Sequence, residues 1–225
     1  MARKPRLEYA GAVYHVMNRG NRQQAIFRTD GDRLLFLSAL EEVCGRTGWK
    51  IHAYALMGNH YHLLVETPEP NLTEGMQWLL GTYTKRFNAE YREWGHLFQG
   101  RYKAIPVDTD GGYFPAVATS IHLNPVRVKG YDFDGADLED YAWSSYPGFV
   151  RREARATWLC ADRALAALSQ KQSRKVCLGL AVAAAYGGEG FMDQAPLADG
   201  QGHQLFGLAQ EDGVVQGGRV GPRCL

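Results

Sequence analysis

His60, Tyr61 and His62 open a run over residues 60–66 whose β-forming side chains predict a strand. On a strand, residues i and i+2 share a face, so the two imidazoles project together while Tyr61 turns toward the core. Two nitrogens placed in this way suit one divalent cation. Taken alone, the pattern more often marks two satisfied surface histidines. A second group is Thr119-Ser120-Ile121-His122-Leu123-Asn124-Pro125-Val126-Arg127, at the end of a predicted helix. Ser120 and Asn124 are four apart and lie on one helical face. The Asn124 carboxamide oxygen can complete a cation's shell. Asn124 also suits a helix C-cap before Pro125, and the two roles are compatible. His122 falls on a different face and is assigned to packing or to supporting a ligand.

These residues need a scaffold, and the hydrophobic periods predict one. Residues 11–17 alternate as a strand, followed by a basic turn at Asn18-Arg19-Gly20-Asn21-Arg22. Leu34, Leu35, Leu37, Leu40 and Val43 recur at helical spacing over residues 30–46, with Thr29 or Asp30 as N-cap and Gly48 at the end. Residues 50–57 read as a second strand, and Gly58-Asn59 as a two-residue hairpin leading into the histidine strand. After Pro68 and Pro70, a long helix runs from residue 72 to about 94 with Met76, Leu79, Leu80, Tyr83 and Phe87 on one side. Residues 101–107 form a fourth strand, which Pro106 assigns to an edge or end. A helix over residues 113–123 is stopped by Asn124-Pro125. The order β-α-β-β-α-β-α predicts an α+β, ferredoxin-like fold: a four-stranded antiparallel sheet covered by helices, with one extra helix. The expected division is a domain over residues 1–149 and a C-terminal extension over 150–225. That extension is expected to hold helices over 158–169 and 175–186, then irregular or partly flexible, glycine-rich chain from Gly187.

Composition narrows the function classes. The chain has 225 residues, a net charge of +1, 45% hydrophobic and 22% charged residues. These values exclude a disordered or collagen-like chain. No apolar run approaches the ~18 residues of a membrane span. The basic start lacks the apolar stretch of a secretory signal, so a cytoplasmic protein with no membrane partner is expected. Cys44, Cys160, Cys177 and Cys224 form no C-x-x-C pair and are expected to be reduced thiols. Charge is uneven: residues 1–130 carry 16 Lys/Arg against 12 Asp/Glu, the remainder 9 against 12. The basic first part suits an anionic partner.

The strings MGNHYHLLVETP, LFQGRYKAIPVD and SIHLNPVRVKG, with YAWSSY after them, resemble the REP-associated tyrosine transposases of the single-tyrosine HUH transposase superfamily. The resemblance covers residues 11–147. It implies the same ferredoxin-like fold, and a divalent metal, Mg²⁺ or Mn²⁺, on His60 and His62 with Asn124 as third ligand. It also implies single-strand DNA cleavage and rejoining: the cation polarises the scissile phosphate, and a tyrosine hydroxyl attacks to leave a 5′-phosphotyrosine and a free 3′-OH. The implied partner is single-stranded or hairpin DNA from palindromic repeats, with a flanking tetranucleotide. Such proteins act as a monomer or a homodimer.

The resemblance fails at the nucleophile. The family reads Tyr-Ile-His-Leu-Asn-Pro where this chain has Ser120-Ile121-His122-Leu123-Asn124-Pro125. A serine hydroxyl ends several ångströms short of a phenolic oxygen and is far less acidic than a phenol of pKa ~10. The expected protein binds DNA and metal but cleaves poorly or not at all at Ser120. Tyr113, two turns upstream and about 10 Å away, is a poor substitute.

Candidate DNA contacts are a basic arm (Arg3, Lys4, Arg6), the first turn (Asn18, Arg19, Asn21, Arg22), the long helix (Lys85, Arg86), the fourth strand (Arg101, Tyr102, Lys103), and Arg127 with Lys129. The Trp143-Ser144-Ser145-Tyr146 stretch is assigned to packing of the chain leaving the last helix. Trp78, Trp94 and Trp158 are assigned to core or interface. Two rivals stand beside the transposase: a non-catalytic DNA- or RNA-binding protein, and a metal-dependent hydrolase using water on His60, His62 and Asn124.

Overall fold

The first helix, α1 (Asp30–Thr47), starts where its sequence offers a reciprocal cap. The Asp32 amide donates to Thr29 Oγ1 (3.4 Å) and the Thr29 amide donates to Asp32 Oδ2 (2.9 Å), which satisfies donors a helix start leaves open. Gly48 ends the helix in the left-handed conformation, φ 72°. This computed structural model describes residues 6–109, 112–127 and 137–167. The strands are β1 (Ala12–Arg19), β2 (Lys50–Leu56), β3 (His60–Thr67) and β4 (Lys103–Pro106). They form one sheet in the order β2-β3-β1-β4, and every neighbouring pair is antiparallel. With α1 between β1 and β2, and α2 (Leu72–Tyr91) between β3 and β4, this is the ferredoxin-like topology the periods predicted.

Period-two alternation sorts the strand residues onto two cores. Tyr14, Val16, Tyr61, Leu63 and Val65 join Phe36, Leu40, Met76, Leu79, Tyr83 and Phe87 beneath α1 and α2. Val13, Ala53, Ala55 and Leu64 face the other way and pack with Phe114, Val117, Ala118 and Ile121 of α3 (Tyr113–His122). Tyr61 is fully buried, with its ring 4.9 Å from Phe36 and 6.1 Å from Phe98. That anchor fixes which way β3 is turned, so His60 and His62 face the α3 side.

β4 is shorter at both ends than the expected residues 101–107, and other boundaries differ from expectation for local reasons. β1 continues through Asn18 and Arg19, so the turn begins only at Gly20, followed by a short 3-10 turn at Asn21–Gln23. α2 ends at Tyr91 because Arg92 takes a left-handed conformation (φ 53°) and the Glu93 amide bonds back to the Asn88 carbonyl (2.9 Å). After α3 the chain resumes helical form as α4 (Asn124–Arg127), so Asn124-Pro125 interrupts rather than stops it.

The chain beyond α4 covers the outer edge of β2. The Leu56 amide donates to the Trp143 carbonyl (2.8 Å), the Ser145 amide to the Tyr54 carbonyl (3.0 Å) and the Cys160 amide to the Ile51 carbonyl (2.8 Å). An edge that would otherwise expose unpaired peptide groups is thereby closed. Two short helices, α5 (Tyr146–Val150) and α6 (Asp162–Ala167), lie in this stretch. Trp158, Leu159 and Cys160 precede α6 rather than beginning it. The predicted helix over 175–186, the glycine-rich stretch from Gly187, Cys177 and Cys224 lie outside the described residues; Cys44 and Cys160 are free thiols.

α6 is tied to the far end of β3 through Glu66. Its carboxylate accepts from Lys50 Nζ, His52 Nε2 and Arg163, each at 2.9 Å. Burial opposes ionisation of Glu66, but the Lys50 and His52 hydrogen bonds together outweigh it and hold the carboxyl below its ordinary 4.5. A carboxyl depressed by folding stabilises fully above its unfolded pKa and loses that contribution as pH falls through the folded value. Glu66→Gln is therefore expected to cost about 1–3 kcal/mol at pH 7. The urea midpoints of variant and wild type should converge as pH drops from 6 to 3; a constant gap would refute the assignment.

Candidate metal and nucleic-acid site

Antiparallel pairing sets Met17 opposite His62 and Arg19 opposite His60, so the histidines sit where β3 leaves the hairpin and β1 reaches its basic turn. The His60 and His62 ring centroids are 5.2 Å apart, with the rings nearly perpendicular. His62 is buried and His60 half-buried. Burial, with the Arg19 charge beside it, pushes His60 below its ordinary 6.5, so the ring is neutral at pH 7 and keeps a lone pair. His60 Nδ1 lies 2.7 Å from Asn59 Oδ1.

A third imidazole, absent from the sequence expectations, joins them. His15 of β1 faces the same side, with Nε2 3.0 Å from His62 Nδ1 and ring centroids 5.2 Å apart. Burial pushes His15 down to about 4, so it too is neutral. The signal was present: residues 13, 15 and 17 alternate with the core residues Tyr14 and Val16. The pairing of β1 with β3 was needed to make His15 a neighbour of His62.

Asn124 follows α3, which packs on this same sheet face. Its Nδ2 donates to the carbonyls of Ser120 (3.0 Å) and Ile121 (3.3 Å), satisfying acceptors that a helix end leaves open. The amide nitrogen is thus committed to the cap and Oδ1 is the end that can ligate. Ser120 is half-buried on α3. His122 faces away from the solvent, with Nε2 2.7 Å from Ser145 Oγ, and burial pushes it down to about 3. Ser145 Oγ also accepts from the Tyr54 amide (2.8 Å), so the Trp-Ser-Ser-Tyr stretch pins α3 to the covered edge of β2.

Among the described residues no three His, Cys, Asp or Glu side chains are arranged to hold a metal. A cation on His60 and His62 therefore needs oxygen donors of another kind, such as a carboxamide, water or phosphate.

The expected DNA contacts divide sharply. Arg19 is exposed opposite His60, and Arg22, also exposed, follows in the turn; Arg22 and Gln23 hold positive φ (52° and 62°) there, braced by the Asn21 amide on the Leu97 carbonyl (2.8 Å). Asn21 is half-buried in that turn, and Arg101 and Lys103 are exposed. Asn18, by contrast, is buried in β1. Tyr102 is buried, with Arg6 stacked 3.8 Å over its ring and bonded to its carbonyl. Arg86 forms a bidentate pair with Glu42 (2.8 and 3.0 Å) on the α1–α2 side, which fills its fork; Lys85 is exposed. Trp94 is 92% exposed in the loop after α2, not in the core, whereas Trp78 and Trp158 pack against it. Arg3, Lys4 and Lys129 lie outside the described residues.

Residues 8–116 match the family model described as IS200-like transposases. Over this stretch, just under half of its length, the chain is similar to IS200-like transposases. The match contains the histidine pair, the hairpin and the basic turn, and it ends before Ser120 and Asn124. A solved REP-associated tyrosine transposase bound to a REP hairpin shares the fold, with 18% identity and a TM-score of 0.53. The similarity covers 71% of this chain and 92% of that one. A candidate transposase from Deinococcus radiodurans R1 shares 20% identity over 48% of this chain and 87% of its own, at a TM-score of 0.36. No curated protein matches the chain. No helix among the described residues is long and apolar enough to cross a membrane.

Proposed function

We propose that this chain is a transposase-type protein that binds single-stranded and hairpin DNA from palindromic repeats and holds a divalent cation, Mg²⁺ or Mn²⁺, on His60 and His62, with Asn124 Oδ1 as the third protein donor. The observation that carries this is the imidazole pair on the α3 side of the sheet, where the exposed Arg19 lies opposite His60 and leads into the turn that holds Arg22. A cation bound there polarises a scissile phosphate and stabilises charge on its oxygens. The chain's own residues do the rest. Arg19, Arg22, Arg101 and Lys103 draw in and position the phosphates. Asn21 and Arg127 are further candidates at the turn and after α3. Buried Tyr61 keeps the histidine strand from rotating.

Ser120 stands where a nucleophile is needed. Its Oγ is short, and at neutral pH its hydroxyl gives up a proton far less readily than a phenol of pKa ~10. DNA is consequently captured without efficient covalent cleavage. The serine also favours a second role for the same chain, DNA binding without turnover.

Labelled hairpins from the repeats flanking its gene, with and without an unpaired foot, test the proposal. Hairpins with a foot should bind more tightly than a scrambled duplex of equal length. Arg19→Ala and Arg22→Ala should each lower affinity across all sequences and reduce the slope of log affinity against log salt by about 1. Unchanged slopes would remove this turn from the interface, and equal binding of hairpin and scrambled duplex would contradict the proposed partner.

A further inference from the structure

Each of the two histidines has a neighbouring side chain within hydrogen-bond distance of its Nδ1. Asn59, at the hairpin tip, donates through Nδ2 to the Gln23 carbonyl (3.3 Å), which fixes the orientation of its carboxamide. The atom 2.7 Å from His60 Nδ1 is then Oδ1, which only accepts. His60 must therefore carry its proton on Nδ1, leaving the lone pair on Nε2. At His62 the partner is another imidazole, His15, whose Nε2 is 3.0 Å from His62 Nδ1. One proton lies between these nitrogens. On His62 Nδ1 it leaves His62 with an Nε2 lone pair, like His60. On His15 Nε2 it gives His62 an Nε2–H that no cation can use.

We propose that Asn59 and His15 are positioning residues that hold His60 and His62 in the same tautomer, protonated on Nδ1, so that two Nε2 lone pairs are presented together. The inference rests on the metal-binding role proposed above. Hydrogen bonds behind metal-bound histidines orient the ring and raise its basicity, and losing one typically costs about 10–100-fold in metal affinity. Asn59 has a second consequence. Its backbone carbonyl accepts from the Gly20 amide (2.8 Å), so the basic turn and the His60 ring share one anchor.

Nitrogen-15 NMR of the metal-free full chain reads the tautomers directly and needs no variant. Both His60 and His62 should show protonated Nδ1 and unprotonated Nε2. Titration with Mn²⁺ alone, by calorimetry, reads the consequence. His15→Phe, which has no acceptor, should weaken Mn²⁺ binding about 10–100-fold, and His15→Gln, which restores an acceptor, should recover most of it. Asn59→Ala and Asn59→Asp should behave as the corresponding pair at His60. Thermal unfolding of each variant checks that the fold persists. A wild-type spectrum with His62 protonated on Nε2, or His15→Phe with unchanged affinity, overturns the inference. If the wild type shows the expected tautomers yet binds no Mn²⁺, the metal-binding role fails and the positioning of the rings stands.

Discussion

Replacing Ser120 with tyrosine should turn the protein into one that attaches covalently to DNA. Ser120→Tyr, incubated with a footed hairpin and Mn²⁺, is expected to give a protein–DNA adduct that survives denaturing electrophoresis. The wild type and Ser120→Ala should give none, or only a trace. The reason lies in reach and acidity together. A phenolic oxygen projects several ångströms beyond a serine Oγ, and its pKa of ~10 makes phenolate formation far easier than alkoxide formation. Ser120 lies on α3, which packs against the histidine face of the sheet, and Asn124 reaches back to the Ser120 carbonyl at 3.0 Å. The helix carrying Ser120 is therefore capped where it packs on that face, and the proposal requires only the side chain to change. An adduct in the wild type that disappears in Ser120→Ala would mean the serine is itself the nucleophile. Multiple turnover with no covalent species would favour a water-using hydrolase.

The second large effect is on the cation. His60→Ala and His62→Ala should each reduce Mn²⁺ affinity by more than about 100-fold, because removing merely a supporting hydrogen bond already costs about 10–100-fold. The loss should not come from unfolding. His60 is half-buried at the end of β3, and the neighbouring packing is anchored by Tyr61 against Phe36 and Phe98 on the opposite face. Calorimetric titration gives the affinities, and unfolding midpoints near wild type would verify that the fold is retained. Affinity unchanged in both variants would place the cation elsewhere.

Much of this arrangement was legible in the order of residues because it depends on local rules. The alternation around Tyr61 assigned the histidines to one face, the Thr29 cap and Gly48 bounded α1, and the β-α-β-β-α-β order led to the topology. What stayed hidden depends on contacts between distant segments. His15 became part of the site only through the β1–β3 register, and Asn59 through a carboxamide orientation set by Gln23 across the turn. Asn18 and Tyr102 looked like turn and strand-entry residues suited to DNA, yet strand continuation and the Arg6 stack bury them. Arg86 carries a charge that a sequence count credits to the DNA face, while Glu42 of the neighbouring helix neutralises it. Trp94 shows the reverse case: a large apolar side chain assigned to core or interface is left in solvent where Arg92 turns the chain out of α2.

Electron paramagnetic resonance of Mn²⁺ bound to the full-length wild-type chain tests the central claim most directly. Hyperfine coupling to two imidazole nitrogens, abolished in the His60→Ala, His62→Ala double variant, is the predicted result. A spectrum of Mn²⁺ surrounded only by oxygen, the same in wild type and double variant, would contradict the claim that these two rings hold the cation.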